Sequence, residues 1–112
     1  MIQTSHFRVR TSHERDEARL RLEGELDIAT APRVEAAVRE ALAAPARRVV
    51  IDLAPLAFVD SSGLRLFILL AERSRAEGWE LALLRPGEPT IAVFRITGAE
   101  QNLPFIDGDG SG

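Results

Sequence analysis

Residues 48–65 constrain the fold of this chain more than any other stretch. The stretch opens with the apolar run Val49–Leu53, which is too short for a helix and therefore predicts a buried strand. Pro55 ends this strand, and a second apolar run leads into the polar block Asp60-Ser61-Ser62-Gly63. Because a long helical pattern starts at Leu64, the stretch predicts a strand, a polar turn and a helix in close succession.

The polar block at 60–63 suits the N-terminus of a helix. Aspartate and serine cap helices because their side-chain oxygens accept hydrogen bonds from the free backbone N–H groups of the first turn. The same end of a helix carries partial positive charge, which favours a phosphate. The block therefore predicts one or two serine hydroxyls at this position, and the role expected of Ser62 is that of a simple cap.

The composition excludes several classes of function. With 112 residues, 46% hydrophobic and 28% charged, the chain is long enough for one globular domain. It contains no cysteine, which excludes disulfides, thiolate catalysis and zinc–thiolate sites, and no lysine, which excludes Schiff-base chemistry and a phosphate-loop lysine. The net charge is −3 and the arginines are dispersed, so nothing favours nucleic acid; the expected partner is a protein, with no metal or cofactor.

Both ends of the chain are polar. Residues 1–6 do not resemble a signal peptide, and no apolar run reaches the length of a membrane span, so the sequence predicts a cytoplasmic protein without membrane insertion. Residues 107–112 are rich in glycine and are predicted to form a flexible tail. Their Asp-Gly pattern lacks the downstream glutamate that a calcium loop requires.

The first part of the chain predicts a hairpin and a helix. Apolar and polar residues alternate over 7–10 and 18–23, which is typical of strands with one wet face, and the polar link over 12–17 predicts a turn. The segment 24–27 closes the second strand. A helix follows, with Thr30 as its cap, Pro32 in its first turn and Pro45 after its end; its apolar stripe comprises Val34, Ala37, Val38, Ala41 and Leu42.

The second part alternates strands and helices. Strands are predicted over 47–53 and 79–84, with a short edge strand over 103–106. A helix over 62–77 ends at Gly78, and a shorter helix over 88–97 ends at Gly98. The core stripe predicted for the longer helix comprises Leu64, Phe67, Ile68 and Ala71.

These elements predict an α/β fold in a single domain over residues 1–106. The order is β-β-α-β-α-β-α-β, which implies a mostly parallel sheet of four to five strands with crossover helices and an antiparallel first strand.

Three leucines of the longer helix, Leu66, Leu69 and Leu70, widen its apolar face beyond one stripe. The helix is then either wedged between the sheet and its neighbours or exposes an apolar edge that binds a partner. The two interpretations are compatible.

Two acidic residues and a serine are expected to meet at one rim of the sheet. Asp27 follows the second strand, and Asp60 and Ser61 follow the third. In parallel sheets the functional rim lies beyond the carboxyl ends of the strands, so neighbouring strands would bring these side chains together. Taken alone, Asp27 would be a turn residue.

The pattern Gly24-Glu25-Leu26-Asp27, followed by Phe58-Val59-Asp60-Ser61-Ser62-Gly63-Leu64, resembles the STAS domain, and within it the bacterial anti-sigma factor antagonists. The resemblance extends over residues 7–106, with a weaker match at 94–98. It implies that Ser61 is phosphorylated by the anti-sigma factor, an ATP-dependent serine kinase, and restored by a serine phosphatase. The unphosphorylated form would bind the anti-sigma factor and free a sigma factor.

The resemblance also implies a partner-binding surface on the matching positions. This surface comprises Asp27, Asp60, Ser61, Ser62, Gly63, Arg65 and Leu66. Two features depart from the family pattern: Arg65 stands where some members carry a small residue, and no clear helix follows the last strand.

Three other functions are compatible in part with the predicted fold. A serine hydrolase needs a base, yet His6 and His13 lie in or near the N-terminal hairpin and no Gly-x-Ser-x-Gly elbow exists. A response-regulator receiver needs a lysine that is absent. A STAS domain with another role, as a stressosome-like scaffold or a cytoplasmic subunit of a lipid transporter, remains open.

Overall fold

The computed structural model describes residues 6–44 and 46–107. It contains strands and helices in the order β1 (Arg8–Glu14), β2 (Glu17–Leu26), α1 (Ala31–Ala43), β3 (Arg48–Asp52), β4 (Leu56–Val59), α2 (Ser61–Glu77), β5 (Glu80–Leu84), α3 (Thr90–Ile96), α4 (Ala99–Asn102) and β6 (Phe105–Ile106). The α/β fold class is confirmed. Pro45 and residues 108–112, which carry the expected helix end and most of the expected tail, lie outside the described residues.

The sheet contains one strand more than the four or five that were predicted. The strand order is β1-β2-β3-β5-β6, with β4 paired to β2 outside this path. Only β1 runs antiparallel to its neighbour among the described strands; the other pairs are parallel. The additional strand is β4, formed by the apolar run between Pro55 and Asp60.

The length of β2 explains why β3 and β4 both pair with it. β2 has ten residues and β3 has five, so β3 covers only the first half of β2. After the interruption at Pro55 the chain returns to the same edge as β4 and pairs with the second half, from Gly24 to Leu26. Gly24 accommodates a register shift with a φ of 98°, and a Cβ there would lie 2.9 Å from the carbonyl oxygen of His6.

The N-terminal hairpin is longer than predicted. Most of the polar link over 12–17 is strand, and the turn consists of Arg15 and Asp16 alone. Arg15 has a φ of 58°, the sign that a type II′ turn requires at its first central residue. Polar residues are compatible with β1 because this strand lies at the edge of the sheet and is largely exposed.

Two helix predictions are wrong in detail. Thr30 is the N-cap residue of α1, as predicted, but its side chain makes no capping bond; its hydroxyl donates instead to the carbonyl oxygen of Glu25, at 2.9 Å. The helix predicted over 88–97 is shorter, and Gly98, with a φ of 80°, separates it from the additional turn α4.

The hydrophobic core lies between one face of the sheet and all four helices. Its largest fully buried side chains are Phe67, Phe94, Leu20, Leu22, Leu26, Ile51, Leu53, Leu70, Leu83, Val34, Val38 and Val49. Ile68, predicted as core, is 42% exposed, because the buried stripe of α2 is centred on Phe67, Leu70 and Ser74. On the opposite face of the sheet Val50, Ala82 and Leu84 form a smaller cluster.

Candidate functional site

Asp27 and Asp60 lie side by side at the rim of the sheet. Leu26 and Val59, the last residues of β2 and β4, are paired in the parallel register, so the residue after each strand reaches the same point. The backbone N–H of Asp60 donates to the carbonyl oxygen of Leu26, at 3.1 Å. The prediction of a shared rim therefore holds geometrically, although β4 rather than β3 carries Asp60 to it.

Asp60 is the N-cap of α2. Its Oδ1 accepts hydrogen bonds from the backbone N–H groups of Ser62, at 2.9 Å, and Gly63, at 3.2 Å. The first helical bond runs from the N–H of Leu64 to the carbonyl oxygen of Asp60. The expectation that Ser62 caps the helix is therefore wrong, because the carboxylate already occupies the N–H groups that a serine cap would bind.

Ser61 is the first residue of α2 and is exposed to solvent. Its hydroxyl makes no hydrogen bond to any residue that the structure describes. Ser62 follows in a half-buried position, also without a side-chain bond in the described part of the chain. Since neither hydroxyl is engaged, exposure distinguishes the two serines, and Ser61 is the more accessible to another protein.

Gly63 allows the start of α2 to lie directly on the sheet. A Cβ at this position would lie 2.5 Å from Cγ2 of Val59, closer than real side chains approach, and 3.0 Å from Cδ2 of Leu26. Any larger residue would force the side chain of Val59 or the start of α2 to shift. Gly63 therefore positions Ser61 rather than offering a surface of its own, since it is buried.

Asp27 has a structural task in addition to its place at the rim. Its Oδ1 accepts from the N–H groups of Ala29, at 3.0 Å, and Thr30, at 3.1 Å, and it lies 3.1 Å from the Thr30 hydroxyl, whose one proton is shared with the closer carbonyl oxygen of Glu25. Its backbone N–H donates to the same Thr30 hydroxyl, at 2.9 Å. These bonds fix the loop that leads into α1, so Asp27 is both a turn residue and one of the two rim carboxylates.

The rim carries more negative than positive charge. Among residues 6–44 and 46–107, no arginine or histidine forms an ion pair with Asp27 or Asp60. The free N–H groups of α2, which would stabilise an anion, are already used in part by Asp60. The nearest positive charge along α2 is Arg65, one helical turn after Ser61, exposed and without an ion pair in the described part of the chain.

An open groove of about 360 Å³ adjoins Ser61 between the N-terminal ends of α1 and α2. It is lined by Ile28, Ala31, Pro32, Glu35, Ser62, Arg65, Leu66 and Leu69. Ile28 is 77% exposed and Leu69 is 46% exposed, which is unusual for large apolar side chains. Of the predicted surface, Ser62, Arg65 and Leu66 line the groove, while Asp27, Asp60 and Ser61 form the rim beside it.

The groove also shows what the sequence reasoning missed. Ile28, Pro32 and Glu35 were not predicted to contribute, although an isoleucine directly after a rim aspartate is a usable signal. Both interpretations of the leucines on α2 hold in part, because Leu66 and Leu70 are buried whereas Leu69 is half exposed.

Two further features of the described residues concern metal ligands and membrane-spanning helices. No group of three His, Asp or Glu side chains in 6–44 and 46–107 is placed to share a metal ion. None of the helices described is both long and apolar enough to span a bilayer.

Comparison with known proteins identifies relatives over nearly the whole fold. A family model described as "Mlab, STAS domain" matches residues 9–106. BtrV, a candidate anti-sigma factor antagonist of Bordetella bronchiseptica, is 35% identical over 86 residues, which cover 77% of this chain and 74% of BtrV.

Solved structures of anti-sigma factor antagonists have the same fold. The anti-sigma factor antagonist SpoIIAA in its unphosphorylated form superposes with a TM-score of 0.72 at 25% identity, covering 93% of this chain and 89% of that chain. The Bacillus SpoIIAA in its phosphorylated form gives 0.67 at 25% identity, covering 93% and 92%. An anti-sigma factor antagonist from Mycobacterium paratuberculosis, at 21% identity and a TM-score of 0.76 over 92% and 87%, supports the fold alone.

Proposed function

The chain belongs to the STAS domain family and has the fold of an anti-sigma factor antagonist, and from this premise we propose that it is a partner-switching regulator. The unphosphorylated protein binds an anti-sigma factor that is also an ATP-dependent serine kinase, and so frees a sigma factor. Phosphorylation of Ser61 ends this binding, and a serine phosphatase restores it. These reactions take place in the cytoplasm.

One observation supports the proposal most strongly: Ser61 is exposed, and its two neighbours in the chain are the rim residue Asp60 and Ser62, which lines the open apolar groove. The groove offers Ile28 and Leu69 for burial by a partner, which favours association. A neutral hydroxyl at its border is compatible with that burial. The same position is open to a kinase, because no described residue covers it.

Phosphorylation would change the surface without changing the fold. A phosphoserine adds about −1.5 to −2 charges at neutral pH. Next to Asp27 and Asp60 this charge makes the rim strongly negative, and a partner that buries the rim would have to desolvate it. The capping bonds of Asp60 involve backbone groups rather than the Ser61 hydroxyl, so they remain in place.

The chain itself is proposed not to be an enzyme. His13 lies on β1 opposite Ala18, near the start of β2, whereas Ser61 lies beyond the end of β2. Eight residues of strand separate Ala18 from Leu26, which is about 26 Å. His6 is exposed and makes no hydrogen bond to Ser61 within the described residues, so neither histidine is placed to act as a base for a serine nucleophile.

The proposal is tested with candidate anti-sigma kinases and ATP, followed by mass spectrometry of the peptide spanning Asp60 to Arg65. We expect one phosphate on Ser61 in the wild type and in Ser62→Ala, and none in Ser61→Ala. In a binding assay Ser61→Ala should retain affinity for the kinase while Ser61→Asp loses it. Constitutive binding that is indifferent to both changes would instead support the alternative, a scaffold or a transporter subunit.

A further inference from the structure

The outer edge of β1 is a strand edge that no other described strand covers. β1 lies at the end of the sheet and pairs only with β2 in the part of the chain described. Glu14 and Glu17 flank the two-residue turn and so form a hydrogen-bonded pair, after which bonded and non-bonded pairs alternate along the hairpin. The backbone groups of Val9, Thr11 and His13 therefore point away from β2.

The sequence of β1 is complementary to itself about Thr11. When two copies of this strand lie antiparallel with Thr11 on the two-fold axis, Thr11 faces its own counterpart and Val9 faces His13. Val9, Thr11 and His13 are the residues whose N–H and C=O groups point away from β2, so in this register each of these backbone groups finds a partner in the other copy. No described residue accepts from or donates to these backbone groups within a single chain.

The charges at the two ends of β1 fit the same register. Arg8 of each copy then lies opposite Glu14 of the other, so the dimer contains this pair at both ends of the contact. Both are non-hydrogen-bonded pairs, the type in which facing side chains are closest. Both residues are exposed, and neither forms an ion pair among the described residues. A shift that centres the pairing on Arg10 would bring two arginines together. A shift in the opposite direction, which centres the pairing on Ser12, shortens the stretch over which the two strands overlap. It also places Arg10 opposite Glu14 of the other copy, and this contact competes with the ion pair that Arg10 makes with Glu23.

The surface beside this edge has room for a second copy. A depression of about 310 Å³ lies between β1 and α1, lined by Val9, Thr11, Arg33, Ala36, Ala37 and Glu40. The side chains of Val9, Thr11 and His13 point to this side of the sheet, because their β2 partners Leu22, Leu20 and Ala18 are in the core. In a dimer the same three side chains of the other copy would lie along this depression.

We propose that β1 is a homodimerisation edge, through which two copies of this chain join into one continuous sheet with Thr11 at the two-fold axis. Charged residues usually protect an edge strand from association, but here the charges are complementary in one register. Because the contact is one strand and the adjoining surface of α1, we expect a reversible, concentration-dependent dimer rather than an obligate one.

The dimer leaves the candidate functional site free. Ser61 lies beyond the C-terminal end of β2, and the antiparallel joining of two β1 strands places the two copies of β2 in opposite directions. The two Ser61 side chains then lie at opposite ends of the continuous sheet. The inference does not depend on whether Ser61 is phosphorylated.

Sedimentation equilibrium over a concentration series into the millimolar range tests the proposal. The monomer has a mass of 12.3 kDa, and we expect the wild type to approach twice this value. Glu14→Arg places an arginine opposite Arg8 at both ends of the contact, and Arg8→Glu places a glutamate opposite Glu14. Each change should raise the dissociation constant of the dimer at least about tenfold. Mixed in equal amounts, these two variants should associate with each other, and the doubly substituted chain should dimerise like the wild type.

Two controls separate the edge contact from misfolding and from general charge effects. Thr11→Pro should be a folded monomer, because the N–H that proline removes points away from β2. Arg75→Glu reverses an exposed charge on α2 and should dimerise normally. A wild type that stays monomeric throughout the series, or single variants that fail to associate when mixed, would overturn the proposal.

Discussion

At the scale of single residues, Gly63 and Asp60 decide where Ser61 is held. Gly63 lets α2 begin in contact with Val59 and Leu26, and Asp60 closes the first turn through two backbone bonds. The hydroxyl of Ser61 is left exposed at the start of α2. Ser61, the proposed site of phosphorylation, is thus positioned by its neighbours Asp60 and Gly63.

Gly63→Ala should destabilise the protein. The added Cβ would lie 2.5 Å from Cγ2 of Val59, a β-branched side chain with little freedom to move. Overpacking typically costs more than the helix propensity that alanine gains, so we expect a net loss of about 1–2 kcal/mol in urea denaturation. Gly87→Ala is the control, because nothing lies within 4 Å of its Cβ position. Equal midpoints for the two variants would contradict this assignment.

Arg65 should influence the phosphate once Ser61 carries it. The two side chains are one helical turn apart, and the guanidinium has no ion-pair partner among the described residues. Removing its charge in Arg65→Gln disfavours the dianion, so the second pKa of phosphoserine 61 should rise, as measured by phosphorus NMR titration of the phosphorylated protein. Arg75→Gln, about 21 Å from Ser61 along α2, should leave that pKa unchanged. A pKa that does not respond to Arg65→Gln would show that the guanidinium lies elsewhere.

Part of this site was predictable from the sequence. The meeting of Asp27, Asp60 and Ser61 follows from strand ends and helix starts, which are local signals. The roles of Thr30 and Gly63 were not predictable, because they depend on contacts with Glu25 and Val59 that only the folded chain creates.

At the scale of elements, the ends of α1 and α2 create the groove. Pro32 and Leu69 lie on different helices, and the loop held by Asp27 adds Ile28. No single element carries the complete surface. Binding should therefore depend on side chains far apart in the sequence.

Ile28→Glu and Leu69→Glu should each weaken binding to the anti-sigma factor by at least about tenfold without loss of stability. Both side chains are exposed, so the fold does not need them, whereas a partner would have to bury the new charge. Calorimetric titration measures the binding, and chemical denaturation checks the fold. Ile96→Glu is the matched control, since Ile96 is 83% exposed but lies outside the groove, on α3. Equal losses in all three variants would assign the effect to charge alone.

The elements themselves show where sequence patterns stop being informative. Residues 56–59 are too few for periodicity to distinguish a strand from a loop, and their identity as β4 depends on the unpaired second half of β2. The longer helices were better predicted: α2 was expected over 62–77 and runs from Ser61 to Glu77, and α1 begins directly after Thr30 as expected, because apolar spacing and the Gly78 cap are encoded locally.

At the scale of the whole molecule, the hydrophobic core and the surfaces proposed for recognition lie in different parts of the fold. The core lies between the sheet and the helices, while the rim, the groove and the β1 edge are exposed. Changes at the surface can therefore alter binding without unfolding the protein.

Phosphorylation of Ser61 should leave the free energy of unfolding nearly unchanged. The hydroxyl is exposed and unbonded within the described structure, so we expect a difference below about 1 kcal/mol between the two forms in urea denaturation. A much larger loss would mean that the phosphate disturbs the start of α2, and that release of the partner reflects unfolding rather than a changed surface.

The most direct test of the account is the affinity of the unphosphorylated and the Ser61-phosphorylated protein for the same anti-sigma factor, measured by calorimetry under identical conditions. We predict tight binding by the first form and at least about a hundredfold weaker binding by the second, because the partner must desolvate the phosphate beside two carboxylates. Equal affinities of the two forms would contradict the account, since the negative rim at Asp27 and Asp60 would then have no part in partner release.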